Sequence, residues 1–105
     1  MKRIRLTDGS GRWFDKEKAK VWEEDTNFDG NNHISCATGS QWDHELLYRT
    51  VGGVYVLHHW SQWEGSCESY EEISADDAAV WLVANDHDEI NVPEIQEKIA
   101  ALEIE

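Results

Sequence analysis

Residues 45–60 read Glu45-Leu46-Leu47-Tyr48-Arg49-Thr50-Val51-Gly52-Gly53-Val54-Tyr55-Val56-Leu57-His58-His59-Trp60. Two runs rich in aliphatic and aromatic residues flank a glycine pair. Such a pair supplies the positive φ that a two-residue primed hairpin turn demands. That loop length predicts Val51 opposite Val54, Arg49 opposite Val56, Leu47 opposite His58 and Glu45 opposite Trp60. Leu46, Tyr48, Thr50, Tyr55, Leu57 and His59 then share the other face. Both faces are largely apolar, which marks central strands covered on both sides. Helices can supply one cover. The other falls to a partner, a second subunit or the N-terminal segment.

Shorter strands are expected upstream. Ile4 and Leu6 alternate with Arg3, Arg5 and Thr7, which gives a first strand, and Asp8-Gly9-Ser10-Gly11 turns the chain. A second strand is expected from about Ala19 to Asp25, a loop over 27–32, and a third strand from His33 to Thr38. Downstream the period changes. Ser74 is a good N-cap with Asp77 three residues on, and Ile73 and Ala78 occupy staple positions, so a helix is expected over about 75–85. Its buried face is Ala78, Trp81, Leu82 and Asn85. Pro93 starts a last helix whose stripe is Ile95, Ile99 and Leu102. The expected fold is α+β: an antiparallel β-meander of four to five strands followed by two C-terminal helices packed on the sheet. At 105 residues one domain is expected, mainly β over 1–74 and mainly α over 75–105.

Charge is the strongest compositional signal. The formal net charge is −13, and it is uneven. Residues 1–20 hold seven Lys or Arg against three carboxylates, a surplus of four positive charges. Residues 21–105 hold only Arg49 and Lys98 against nineteen carboxylates, a surplus of seventeen negative ones. Such a field repels nucleic acid and anionic membrane and draws in basic surfaces. The longest apolar run, Ala78 to Ala84, is too short to span a bilayer. Two cysteines, Cys36 and Cys67, make no disulfide framework and no apolar leader follows Lys2, so a cytoplasmic setting is expected.

Few motifs point to chemistry. Asp25-Thr26-Asn27-Phe28-Asp29-Gly30 matches the first half of a calcium loop, with Asp25, Asn27 and Asp29 as candidate ligands. The bidentate acid expected at the twelfth position is replaced by Cys36, so an Asx-rich turn is the better account. His58 and His59 are adjacent on a strand and face opposite ways, and no paired Cys or His spacing marks a zinc site. His33, Cys36 and Cys67 could meet only through the fold. No nucleophile elbow, phosphate loop or dinucleotide fingerprint is present, so neither an enzyme nor a cofactor is expected.

The most unusual stretch runs from Trp60 through Trp63 to Glu72. Aromatic residues with neighbouring carboxylates make a hot-spot surface for a basic partner, here Trp63, Glu64, Glu68, Tyr70, Glu71, Glu72, Asp76 and Asp77. Asp76 and Asp77 also suit a helix N-terminus.

Leu47-Tyr48-Arg49-Thr50, Trp60-Ser61-Gln62-Trp63-Glu64-Gly65-Ser66, Ser69-Tyr70-Glu71-Glu72-Ile73-Ser74 and Ala78-Ala79-Val80-Trp81-Leu82-Val83 together resemble a group of short uncharacterised bacterial proteins. The resemblance covers about residues 27–90 and implies no activity. In size and charge the chain also resembles small acidic phage- or plasmid-encoded inhibitors, including anti-CRISPR and anti-restriction proteins. The expected function is therefore a non-enzymatic acidic interaction module that masks a basic, nucleic-acid-binding surface of a protein partner. The alternatives are a small-ligand or carbohydrate binder using exposed Trp, or a calcium module at Asp25, Asn27 and Asp29. Direct nucleic-acid or membrane binding is not expected, and the apolar hairpin faces leave room for a homodimer.

Overall fold

The computed structural model describes residues 1–28, 30, 32–40, 42–62 and 68–104. Among these, eight strands precede two helices: β1 (Arg3–Arg5), β2 (Trp13–Asp15), β3 (Lys20–Glu23), β4 (Thr26–Phe28), β5 (His33–Ser35), β6 (Asp43–Arg49), β7 (Tyr55–Ser61), β8 (Ser69–Ile73), α1 (Ala75–Ala84) and α2 (Pro93–Ala101). The main sheet is antiparallel in the order β3-β6-β7-β8, and β1–β2 and β4–β5 are separate two-stranded ribbons. The expected α+β architecture is present. Strands β2, β4 and β8 were not anticipated, and the expected loop over 27–32 is narrower because β4 reaches Phe28 and β5 starts at His33. The third strand stops at Ser35, where Gly39 N–H donates back to the Ser35 carbonyl.

The central hairpin forms, but one residue out of the expected register. Arg49 faces Tyr55, Leu47 faces Leu57, Leu46 faces His58 and His44 faces Trp60. The connection is a three-residue loop, 51–53. Thr50 N–H donates to the Val54 carbonyl (2.8 Å) and Gly53 N–H donates to the Thr50 carbonyl (2.9 Å). Only Gly53 has positive φ, +85°; Gly52 does not. A type I turn followed by one left-handed glycine therefore replaces the primed turn, in which both central residues need positive φ. A one-residue slip moves side chains to opposite faces. It places Leu47, Tyr55 and Leu57 together on one face, and Leu46, Tyr48, Val56 and His58 on the other.

Each face has its own cover. Leu47 and Tyr55 pack with Trp22 of β3, and with Ala78, Leu82 and Ile95 of the helices. Tyr48 and Val56 pack under Leu6 and Phe14, with Ile4 and Tyr70 at the margin. The N-terminal ribbon is thus the second cover. Fully burying aliphatic side chains such as Leu47, Val56, Leu82 and Ile95 contributes roughly 1.5–3 kcal/mol each.

Helix α1 forms as its cap predicts, with Ser74 Oγ accepting from Asp77 N–H at 3.1 Å. Ala78, Trp81, Leu82 and Asn85 are all buried. The helix ends without a glycine. Asp86 takes φ +59°, its N–H donates to the Val83 carbonyl and His87 N–H donates to the Leu82 carbonyl. This is the paired bonding of a Schellman motif, satisfying carbonyls that the last turn leaves open. Asn85 completes the corner, its Nδ2 donating to the Trp81 carbonyl and its Oδ1 accepting from Asp25 N–H. In α2, Ile95 is fully buried and Ile99 half-buried, whereas Leu102 lies past the helix end and is exposed, because the helix stops at Ala101.

The outer edge of β8 is blocked. Thr7 N–H donates to the Tyr70 carbonyl (2.8 Å), and Tyr70 N–H donates to Thr7 Oγ1 (2.9 Å). Arg12 then reaches Glu72 at 2.6 Å. Covering an edge in this way prevents another strand from adding there.

The loop geometry is testable by denaturation. Gly53→Ala forces an alanine into the left-handed region, 3.4 Å from the Arg49 guanidinium, and is expected to cost about 1–2 kcal/mol. Gly52→Ala meets only Thr50 Oγ1, at 3.9 Å, and is expected to stay within about 0.5 kcal/mol of wild type. Equal costs at both positions would restore the two-residue turn.

Candidate functional site

The acidic and aromatic residues expected to meet a partner are only partly free. Trp63, Glu64 and Cys67 lie outside the described residues, as does Asp29. Glu68 Oε2 is 2.9 Å from His58 Nε2, Glu72 is bound to Arg12, and Asp76 holds Lys98 at 2.8 Å. Glu71 and Glu72 lie on opposite faces of β8, because neighbouring strand residues alternate. Asp77 sits in the first turn of α1 and is exposed. The expected patch is therefore split between the β8 edge and the start of α1.

Tyr70 belongs to an aromatic row on the ribbon side of the sheet. Its ring stacks on His58 with centroids 4.0 Å apart and planes within 9°. Trp60 follows at 4.8 Å from His58, and Phe14 reaches Tyr48 at 5.3 Å. Burial, helped by the Glu68 charge, pushes the Tyr70 phenol up from its ordinary 10 to about 12. His58 is 9% exposed, and its buried Nδ1 has no hydrogen-bond partner among the described residues. No sequence pattern announced this row, because β8 was not recognised as a strand.

A second polar cluster centres on Glu24. Its carboxylate accepts from Ser35 Oγ and lies 2.5 Å from His44 Nδ1. Serine, histidine and an acid are thus together, but in the wrong order for acyl transfer. Nucleophilic activation needs the hydroxyl on the imidazole, whereas here both touch the carboxylate and Ser35 is 1% exposed. The cluster joins the residue just after β3 to β5 and β6. Cys36 is a free thiol that accepts from Asn27 Nδ2, and burial together with nearby Asp25 pushes its pKa up, away from the reactive thiolate.

Of the calcium candidates, Asn27 lies in β4 and Asp25 directly precedes that strand. Asn27 pairs with Ile34, and the Asp25 carboxylate accepts from Thr26 N–H. Extended backbone spreads these oxygens along the strand, where a calcium loop would wrap them round one centre. His33 packs on Phe28, and among the described residues no group of three His, Cys, Asp or Glu is placed to hold an ion.

The clearest unfilled surface is the outer side of α1. Asp76, Asp77, Val80, Val83 and Ala84 follow one another along it, with Val80 53% and Val83 47% exposed. Nearly all of α1 beyond its first turn is apolar, a composition normally found where a helix is buried all round. Carboxylates bracket the ridge: Asp76 and Asp77 at one end, Asp86, Asp88 and Glu89 at the other. Residues 75–104 carry eight carboxylates against Lys98 alone, and Lys98 is taken by Asp76. The helical layer on one face of the sheet is acidic, and the ribbon layer on the other is basic. No helix among the described residues is long and apolar enough to cross a membrane.

Comparison with protein-family models, curated proteins and solved structures finds no match to this chain.

The aromatic row is open to titration. The raised Tyr70 value means that the neutral phenol favours the folded state. Its contribution is complete below pH 10 and lost as pH rises through about 12. Phenolate absorbance is expected to show a step near 12 in wild type. In Glu68→Gln that step should move down yet stay above 10, because burial is the larger cause. A Tyr70 step near 10 in wild type would contradict the stacking.

Proposed function

We propose that this protein is a non-enzymatic interaction module whose docking surface is the outer side of α1 and the acidic turn that follows it. The observation that carries this reading is the pair of half-exposed valines, Val80 and Val83, framed by carboxylates. Apolar area supplies affinity where it is removed from water, and the charged rim selects the partner and speeds encounter. The complementary surface is a protein's basic one with an apolar strip at its centre. A groove that otherwise holds nucleic-acid phosphates has the right sign, since carboxylates spaced along a surface compete for the same Lys and Arg side chains. Masking such a groove is the inhibitor role we assign.

The surface differs from the one centred on residues 63–72. Glu68, Glu72 and Asp76 already answer His58, Arg12 and Lys98, so an incoming cation would have to displace an internal partner. Asp77, Asp86, Asp88 and Glu89 form no ion pair among the described residues.

Affinity capture from a bacterial lysate, compared between wild type and variants, tests the proposal. Wild type is expected to retain a basic protein that elutes as salt rises through the physiological range. Val80→Ser/Val83→Ser should lose it, and Asp88→Lys/Glu89→Lys should lose it at lower salt still. Each changes exposed side chains and should leave stability within about 0.5 kcal/mol per site. Equal retention by wild type and both variants would place the interface elsewhere.

A further inference from the structure

A cavity of about 360 Å³ opens between the N-terminal ribbon and the tip of the central hairpin. This is within the size range of small-molecule sites. Its floor is apolar, made by Leu6 and Phe14 from the ribbon and by Val54 and Val56 from the hairpin. The hairpin loop, Thr50 to Gly52, forms one wall, and Trp13, 48% exposed, forms another. The Arg3 guanidinium lies 4.6 Å from the Trp13 ring centroid, which holds that indole against the ribbon.

The charged groups of the lining decide what it can take. Arg12 is committed to Glu72 at 2.6 Å and Asp8 at 3.6 Å. Asp15 is the one carboxylate, and its Oδ1 accepts from the N–H groups of Lys2 and Glu17. Lys18 forms no ion pair within contact distance among the described residues; its charge acts on Asp15 through space, and its ammonium can still turn to an occupant at the mouth. The surrounding segment is also the single basic region of a strongly acidic chain. An anion is repelled by the rest of the surface and tolerated here.

We infer that this cavity is a binding site for a small aromatic carboxylate. The ring system enters between Trp13 and the Phe14–Val56 floor, and the carboxylate remains at the mouth on Lys18. The site lies across the sheet from α1 and stands independently of the docking surface proposed there. It also gives an exposed tryptophan a definite role, one that composition alone could only suggest.

The probes are 2-naphthoate and its neutral counterpart 2-naphthamide, titrated separately into the full chain at low salt and followed by amide NMR shifts and calorimetry. Naphthoate is expected to bind saturably and to move the resonances of Trp13, Phe14, Thr50 and Val54. A charge-assisted hydrogen bond is worth about tenfold in affinity, so the amide should bind about tenfold more weakly. Lys18→Gln, an exposed change, should remove that preference by weakening naphthoate more than naphthamide. Absence of saturable binding, or shifts centred on the helical layer, would overturn the site. Equal binding of the two probes to wild type, or an unchanged preference in Lys18→Gln, would overturn the assignment of the carboxylate.

Discussion

Everything in this fold follows from a hairpin that is apolar on both faces. Strands β6 and β7 carry Leu47, Tyr55 and Leu57 on one side and Tyr48, Val56 and His58 on the other. Neither face can be left to water, because each holds several side chains whose burial is worth roughly 1.5–3 kcal/mol apiece. The segments on either side of the hairpin supply the covers. The C-terminal end becomes two helices and the N-terminal end a ribbon, each carrying the apolar residues its face requires.

The two covers differ in charge, and that difference gives the molecule its functional character. The ribbon segment is basic and the helical layer is acidic, with the sheet between them. Opposite charge at two sites within one small protein allows them to serve different ligands. Like charge on all sides would give only general repulsion or attraction. The internal ion pairs follow the same division. Arg12 of the ribbon side neutralises Glu72 at the sheet edge, and Lys98 neutralises Asp76 at the start of α1, which leaves Asp77 at one end of the helix and Asp86, Asp88 and Glu89 beyond the other without an ion pair among the described residues.

Much of this was legible in the residues. The helix over 75–84 was marked by the Ser74 cap and the spacing of Ala78, Trp81 and Leu82, since a capped apolar period has few competing structures. The hairpin was visible in its glycine pair, but its register was not. Gly-Gly satisfies a loop needing two positive φ values and equally a loop needing one, and the choice between them falls to packing on both faces. Strand β8 was missed because Ser69-Tyr70-Glu71-Glu72-Ile73 reads as acidic surface. Its carboxylates are tolerated because it is an edge strand whose outer side is held by Thr7 and Arg12. The Schellman turn at Asp86 was hidden for a similar reason, since an aspartate stands where glycine is usual. The aromatic row and the ribbon cavity join residues far apart in the chain, and local periodicity carries no record of such meetings.

The account rests most heavily on α1 as the face that meets a partner. The most direct measurement is a methyl NMR titration of valine-labelled protein with an amphipathic helical peptide whose polar face is Lys and Arg. The account predicts that the Val80 and Val83 methyl signals shift and saturate, that raised salt reverses the shifts, and that the equally exposed Val21 on the opposite side of the sheet stays in place. Shifts at Val21 or at the ribbon, with Val80 and Val83 unmoved, would contradict it.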